Sequence, residues 1–160
     1  MAREIMDRKA SDNKYLHRDF HNLMNLGIEY LREKFGEEPV REYLRQFASA
    51  YYTPLKASLK ENGLAAVLEY YKKIYTAEEA IENVEFALSN DELVIRVKQC
   101  PAVDHIRKSE IPVSPLYHEL TKTVNETVCE GTPFAFELLK YDHETGASVQ
   151  RFYKKGGKTN

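Results

Sequence analysis

The sequence has little or none of several features that mark specialised classes of protein. It contains no tryptophan and only two cysteines among 160 residues. No apolar run approaches the roughly 18 residues that a membrane span requires. Two cysteines exclude a disulfide scaffold, and both are expected to remain thiols in a reducing compartment. With no apolar signal segment at the N-terminus, the sequence favours a cytoplasmic protein.

Neither sign of charge dominates the sequence. The 23 basic and 25 acidic residues leave a net charge of −2, which argues against a partner bound by neutralising its phosphates. Glycine-rich phosphate loops, Gly-x-Ser-x-Gly nucleophile elbows and paired-cysteine metal knuckles are also absent from the sequence. We therefore expect a small-molecule ligand or substrate rather than a nucleic acid or a membrane.

The composition is that of an ordinary globular domain, with 42% apolar and 30% charged residues. At this length a single domain over 1–160 is expected, with frayed ends at 1–11 and 155–160. Apolar residues recur with helical spacing in the first half and alternate in the second. The predicted elements are helices over 12–35, 40–52, 54–62 and 64–75, a hairpin over 84–98, a loop over 101–114, a helix over 115–130 and a hairpin over 133–154. This order predicts an α+β fold, with N-terminal helices packed on an antiparallel sheet of β-β-α-β-β order.

Two histidines lie on or beside the apolar face predicted for the first helix. At about 100° per residue, His17 falls within this face and His21 on its border. The same projection places Leu23 on the apolar face and Asn25 on the polar stripe opposite it. An imidazole facing a core needs a hydrogen-bond partner, a metal or a ligand. The pair therefore indicates a catalytic or ligand-binding site, with a structural role as the alternative.

The separation of His17 and His21 would also allow both imidazoles to bind one metal ion. The intervening residues lack the glutamate of the zinc-protease helix, and no local spacing selects a third ligand. A zinc ion held by these histidines is thus an alternative that we do not favour, and no cofactor is predicted.

A second group of reactive side chains follows the first hairpin, where Cys100 ends a strand and enters the predicted loop. Its position along the strand matches Arg96 and Lys98, whose positive charge would lower the pKa of the thiol. His105 could then activate the thiol if the loop turns back. Cys129 and His118 are predicted on one side of their helix, which is a solvent face or, as the alternative, a second polar wall of the site. Glu137 is either solvated or a proton carrier among apolar neighbours.

Three short segments resemble the L-2-amino-thiazoline-4-carboxylic acid hydrolase-like family. They are His17-Arg18-Asp19-Phe20-His21 on a helix, Cys100-Pro101-Ala102-Val103 at a strand end and Gly131-Thr132-Pro133-Phe134 before the last hairpin. The resemblance spans roughly residues 15 to 154 and implies hydrolytic opening of a cyclic thiazoline to a carbamoyl-cysteine.

The resemblance implies a nucleophile or an activated water that attacks the C=N carbon. Cys100 would be the nucleophile, with His105, His17 or His21 as base and acid; a water activated by histidine-bound metal is the other route. The basic side chains Arg96, Lys98 and Arg107 would then hold the substrate carboxylate. Competing interpretations are a non-enzymatic small-molecule-binding or sensory domain, and a homodimer formed through the wide apolar helix face.

Overall fold

The computed structural model describes the backbone of residues 14–156 and the side chains of residues 18–156. The chain begins with helices and continues with two hairpins separated by further helices. In order, the elements are α1 (Lys14–Phe35), α2 (Glu37–Tyr51), α3 (Thr53–Asn62), α4 (Leu64–Ala77), a 3-10 turn (Ile81–Asn83), β1 (Val84–Leu88), β2 (Glu92–Val97), α5 (Pro101–Lys108), α6 (Glu119–Cys129), β3 (Phe134–Tyr141) and β4 (Ser148–Lys154).

The fold is α+β, as predicted, with one antiparallel sheet in the order β1-β2-β4-β3. The two hairpins meet through β2 and β4, where Leu93 lies opposite Phe152. Both side chains are buried on the face that the helices cover. Alternation of apolar residues along the strands therefore predicted the buried face of the sheet.

The predicted β-β-α-β-β succession is wrong in one respect, because two helices separate the hairpins. Residues 101–108, expected in a loop, form α5. Pro101 occupies the first turn of this helix. A backbone N–H there has no partner within the helix, so proline, which lacks the N–H, loses no hydrogen bond. Ala102, Val103 and Ile106 follow at helical spacing and are buried. The residues that follow Cys100 are therefore helical and do not form the expected loop.

The face of α1 that packs on the protein is rotated from the predicted one. Asn25, predicted on the polar stripe, is fully buried, while Leu23 is exposed. The Asn25 side chain donates to the Pro112 carbonyl at 2.9 Å and accepts from the Ser114 amide at 2.8 Å. These bonds satisfy a buried amide and fix the segment between α5 and α6 against α1.

Helix α6 is buried around most of its circumference, because it contacts α2, α3 and β3. The prediction that Cys129 faces solvent is wrong: its side chain is buried, and burial raises the pKa of the thiol to about 12. Within residues 14–156, no helix has the length and hydrophobicity needed to cross a membrane.

Candidate functional site

A polar cleft of about 240 Å³ lies where the start of α1, the end of α4 and the start of α5 meet. Carboxylates and basic groups line it together, in contrast to the apolar core beneath. The charged side chains on its walls are Arg18, Glu78, Glu79, Asp104, His105 and Lys108. This mixture of acids and bases can bind a charged small molecule and transfer protons to it.

A histidine–carboxylate pair lies beside the cleft. His21 Nε2 is 2.7 Å from Glu78 Oε1, with 14% of the histidine side chain and 4% of the glutamate side chain exposed. Glu78 is the residue that ends α4, where the helix dipole disfavours a negative charge. The imidazole N–H facing it offsets that cost and fixes the orientation of both groups.

The backbone that presents Glu78 is strained. The amides of Glu79 and Ala80 donate to the carbonyls of Thr76 and Tyr75, which closes α4 in a Schellman motif. Glu79 holds the left-handed position at φ 56°, where glycine is usual. Its carboxylate accepts from Arg18 Nη2 at 3.0 Å. A side chain with a partner in the cleft therefore occupies a position that favours glycine.

His105 lies next to this pair, one turn into α5. The His21 and His105 ring centroids are 6.3 Å apart. The Asn22 side-chain amide contacts His105 Nε2 at 3.4 Å and donates to Ser109 Oγ at 3.1 Å. Two of the histidines predicted as site residues are thus brought together, while the His17 side chain lies outside the described residues.

Cys100 directly precedes α5, and its side chain is partly buried against the core. It is the N-cap residue of α5, and its amide donates to the Thr145 carbonyl at 3.0 Å. A Cβ built on Gly146 would lie 2.5 Å from the Cys100 Cβ, so the second hairpin closes tightly over the cysteine. No hydrogen bond joins its sulfur to any imidazole of residues 18–156.

The expectation that basic neighbours lower the pKa of Cys100 is wrong. Burial raises this pKa, and it outweighs the opposing effect of the Val103 and Ala102 amides. Lys98 instead pairs with Glu85 at 2.6 Å. A neutral, enclosed thiol is a poor nucleophile.

Three tyrosines lie within electrostatic range of Cys100: Tyr75 and Tyr117 are buried, and Tyr141 is half-buried. Burial raises the pKa values of Tyr75, Tyr117 and Tyr141, and the charge of an ionised Cys100 raises each further. Among the described residues, the buried Tyr117 hydroxyl has no hydrogen-bond partner. The negative charge of Glu78 also raises the pKa of Cys100 and of Tyr117, so Glu78 lies within electrostatic range of this interior.

The basic residues predicted to hold a substrate carboxylate do not line the cleft. Lys98 makes its ion pair on the sheet, Arg107 donates to the His143 carbonyl, and Arg96 is exposed. Arg18 and Lys108 line the cleft instead. No group of three histidine, cysteine, aspartate or glutamate side chains within residues 18–156 has metal-binding geometry.

The remaining candidates lie elsewhere. The His118 ring lies near those of Tyr141 and His143, tilted to the first and edge-on to the second, with centroids 5.6 Å and 5.1 Å away. Glu137 contacts Arg151 and Tyr153 on the sheet. A larger groove, about 620 Å³, lies between α3 and α4 and contains none of the predicted site residues.

Sequence reasoning missed Glu78, Asn22 and Arg18 as site residues. Glu78 lies just beyond the predicted helix over 64–75, and its partner lies 57 residues away. The available signal was a pair of acidic residues at a helix C-terminus, where carboxylates are unfavourable without a partner.

Comparisons with models of protein families, with curated proteins and with solved structures each found no match.

Proposed function

We propose that the protein is a cytoplasmic hydrolase-like protein that opens a cyclic C=N substrate, such as an amino-thiazoline carboxylate, in the polar cleft. The observation that carries this proposal is the buried His21–Glu78 pair with His105 beside it. The resemblance to the amino-thiazoline hydrolase-like family supplies the substrate class. Proton transfer by positioned carboxylates and imidazoles is the chemistry that such ring opening needs.

Water is the nucleophile in this mechanism. Glu78 lines the cleft and accepts a proton as the water oxygen bonds to the C=N carbon, while the π electrons move to the ring nitrogen. His105, in its protonated form, gives its proton to that nitrogen. The tetrahedral carbon then forms its C=O bond as its bond to the ring sulfur or the ring nitrogen breaks, and the hydroxyl proton passes to the departing atom. The proton held by Glu78 returns to His105, and the product is a carbamoyl-cysteine. The net change is the addition of one water.

The burial of Cys100 supports this route over covalent catalysis by the thiol. Its pKa is raised, and Gly146 closes over it from the second hairpin. Attack by Cys100 would require both ionisation and opening of that contact. A water in the cleft needs neither change.

Basic side chains at the cleft are suited to the substrate carboxylate. Lys108 Nζ lies 2.6 Å from Asp104 and Arg18 Nη2 lies 3.0 Å from Glu79. Both cations are solvent-accessible, so exchanging a protein carboxylate for a substrate carboxylate costs little free energy. This arrangement favours a small anionic substrate.

The test is to incubate the purified protein with 2-amino-thiazoline-4-carboxylate and to measure carbamoyl-cysteine by mass spectrometry. We expect turnover by the unchanged protein and a loss of about 100-fold or more in His105→Asn, as for removal of a general acid. His143→Asn is the matched control, since His143 is exposed in the hairpin turn and should leave the rate unchanged. Equal rates for the two variants would remove His105 from the mechanism.

A non-enzymatic binding domain is the second candidate function, and the unpartnered Tyr117 hydroxyl favours it. A buried hydroxyl without a partner can be satisfied by a polar group of a ligand. In calorimetry, this function predicts that the same compound binds without product formation and that Tyr117→Phe weakens its binding.

A further inference from the structure

Large exposed apolar side chains are concentrated on the α1–α2 hairpin. Among the described residues, Ile81, Leu88 and Leu139 are exposed elsewhere. Those on the hairpin are Phe20, Leu23, Leu26, Tyr30, Phe35, Tyr43 and Tyr51. Single exposed apolar residues are normal on a protein surface, but a contiguous group marks an interaction site.

The exposed residues of α1 form a regular stripe. Leu23, Leu26 and Tyr30 are spaced by three and four residues, and their exposed fractions are 68%, 50% and 58%. Ile28, on the opposite side of the helix, is fully buried. A second apolar seam at this spacing is typical of a helix that packs against another helix. Gly27 adjoins the stripe, and a Cβ built on it meets no atom within 4 Å, so a second backbone could approach closely there.

The stripe has an acidic residue at one end and a basic residue at the other. Asp19 precedes Leu23 by four residues and Lys34 follows Tyr30 by four. Neither makes an ion pair with another residue of the described chain. In an antiparallel pair of α1 helices centred between Leu26 and Gly27, Asp19 faces Lys34 of the second copy, and Leu23 faces its Tyr30. The stripe is therefore complementary to itself in charge.

We propose that this surface is a homodimer interface in which two α1 helices pack antiparallel about a two-fold axis near Gly27. Aromatic residues of α2 extend it, since Phe47 lies 6.3 Å from Phe20 and stacks on Tyr51 at 5.4 Å between centroids. A stable interface buries at least about 1,200 Å² in total, which requires such a contribution from α2 beside the single helix pair. Because both copies use the same surface, such a contact forms a closed dimer.

The test is the mass of the full-length protein by sedimentation equilibrium over a range of concentrations. We expect a dimer that Leu23→Glu converts to a monomer. Leu139→Glu, at an exposed leucine on the sheet, is the matched control and should leave the dimer intact. Circular dichroism establishes that each variant remains folded.

A charge exchange tests the antiparallel register. Asp19→Lys places like charges opposite each other at two symmetric positions and should raise the dimer dissociation constant roughly tenfold. Adding Lys34→Asp should return the dissociation constant to that of the unchanged protein. A monomer at every concentration, as when another segment or a different protein covers the stripe, would overturn the proposal. A dimer that survives Leu23→Glu, or a double variant that remains as weak as the single one, would do the same.

Discussion

At the scale of single residues, surroundings decide which reactive groups can act. His21 and Cys100 were both predicted as site residues from their positions in the sequence. His21 lies beside the polar cleft with a carboxylate partner, whereas the Cys100 thiol is enclosed by Gly146 and α5. Periodicity could locate His21 near a helix border. It could not show Glu78 as the partner, because that contact depends on how α1 and α4 pack.

The first prediction concerns thiol reactivity. Burial raises the pKa of both Cys100 and Cys129, so little thiolate is present at neutral pH. We expect each thiol to react with Ellman's reagent at least about tenfold more slowly in the native protein than in guanidinium. The native rate should still be rising with pH at about pH 9, since a raised pKa moves ionisation upward. In a Cys129→Ala variant, a native Cys100 that reacts as fast as free cysteine would contradict the enclosed thiol.

At the scale of elements, the ends of helices carry information that periodicity does not. The loop predicted over 101–114 overlooked α5, because the prolines at 112 and 115 favoured a loop over a short apolar repeat. Pro101 at a helix start and the spacing of Val103 and Ile106 were the usable signals. Such signals could not predict which face of α1 is buried, because the burial of Asn25 depends on its hydrogen bonds to Pro112 and Ser114.

Two helix ends provide a matched test of strain near the cleft. Glu79 after α4 and Glu110 after α5 both have left-handed φ values, 56° and 59°. Replacing either residue by glycine should raise the free energy of unfolding of the protein by roughly 0.5–1 kcal/mol, because the relief of backbone strain exceeds the cost of the added freedom of the unfolded chain. Only Glu79→Gly removes the carboxylate that competes with the substrate for Arg18, so only this variant should show a lower KM for the anionic substrate. Equal KM values for the two variants would exclude a role for Glu79 in the site.

The Arg41–Glu119 ion pair joins α2 to α6 and predicts a pH dependence of stability. Arg41 Nε is 2.9 Å from Glu119 Oε1, and the carboxylate side chain is 3% exposed. Burial raises the pKa of Glu119, but the Thr123 hydroxyl and the Arg41 guanidinium together bring it below the usual 4.5. The pair therefore contributes stability above pH 4.5 that is lost as the pH falls through the lower folded pKa.

We expect Arg41→Met to reduce the free energy of unfolding by about 2–3 kcal/mol at neutral pH, because it leaves a buried carboxylate without its cation. The loss should shrink at acid pH, where the carboxylate is protonated. Arg45→Met is the control: Arg45 pairs with the exposed Glu38 and Glu42, and its loss should cost less than about 1 kcal/mol. Urea denaturation at two pH values measures both variants, and a loss independent of pH would contradict the role assigned to Glu119.

At the scale of the whole molecule, the fold follows from patterns that are local in the sequence, while the site follows from distant contacts. Helical and alternating periodicities predicted the α+β class and both hairpins. The cleft joins residues from α1, α4 and α5, and the His21–Glu78 and Asn22–His105 contacts span 57 and 83 positions. Nothing in the spacing of one element selects such partners, so the convergence of His21 and His105 could only be a hypothesis until the packing of the helices was known.

The most direct test of the proposed site is the rate of carbamoyl-cysteine formation from 2-amino-thiazoline-4-carboxylate by the unchanged protein and by Glu78→Gln. The substitution keeps the size of the side chain and removes the group that accepts the proton from water. We predict measurable turnover that falls by about 100-fold or more in the variant, as expected when a general base is lost. The absence of turnover by the unchanged protein, or an undiminished rate in Glu78→Gln, would contradict the proposed mechanism.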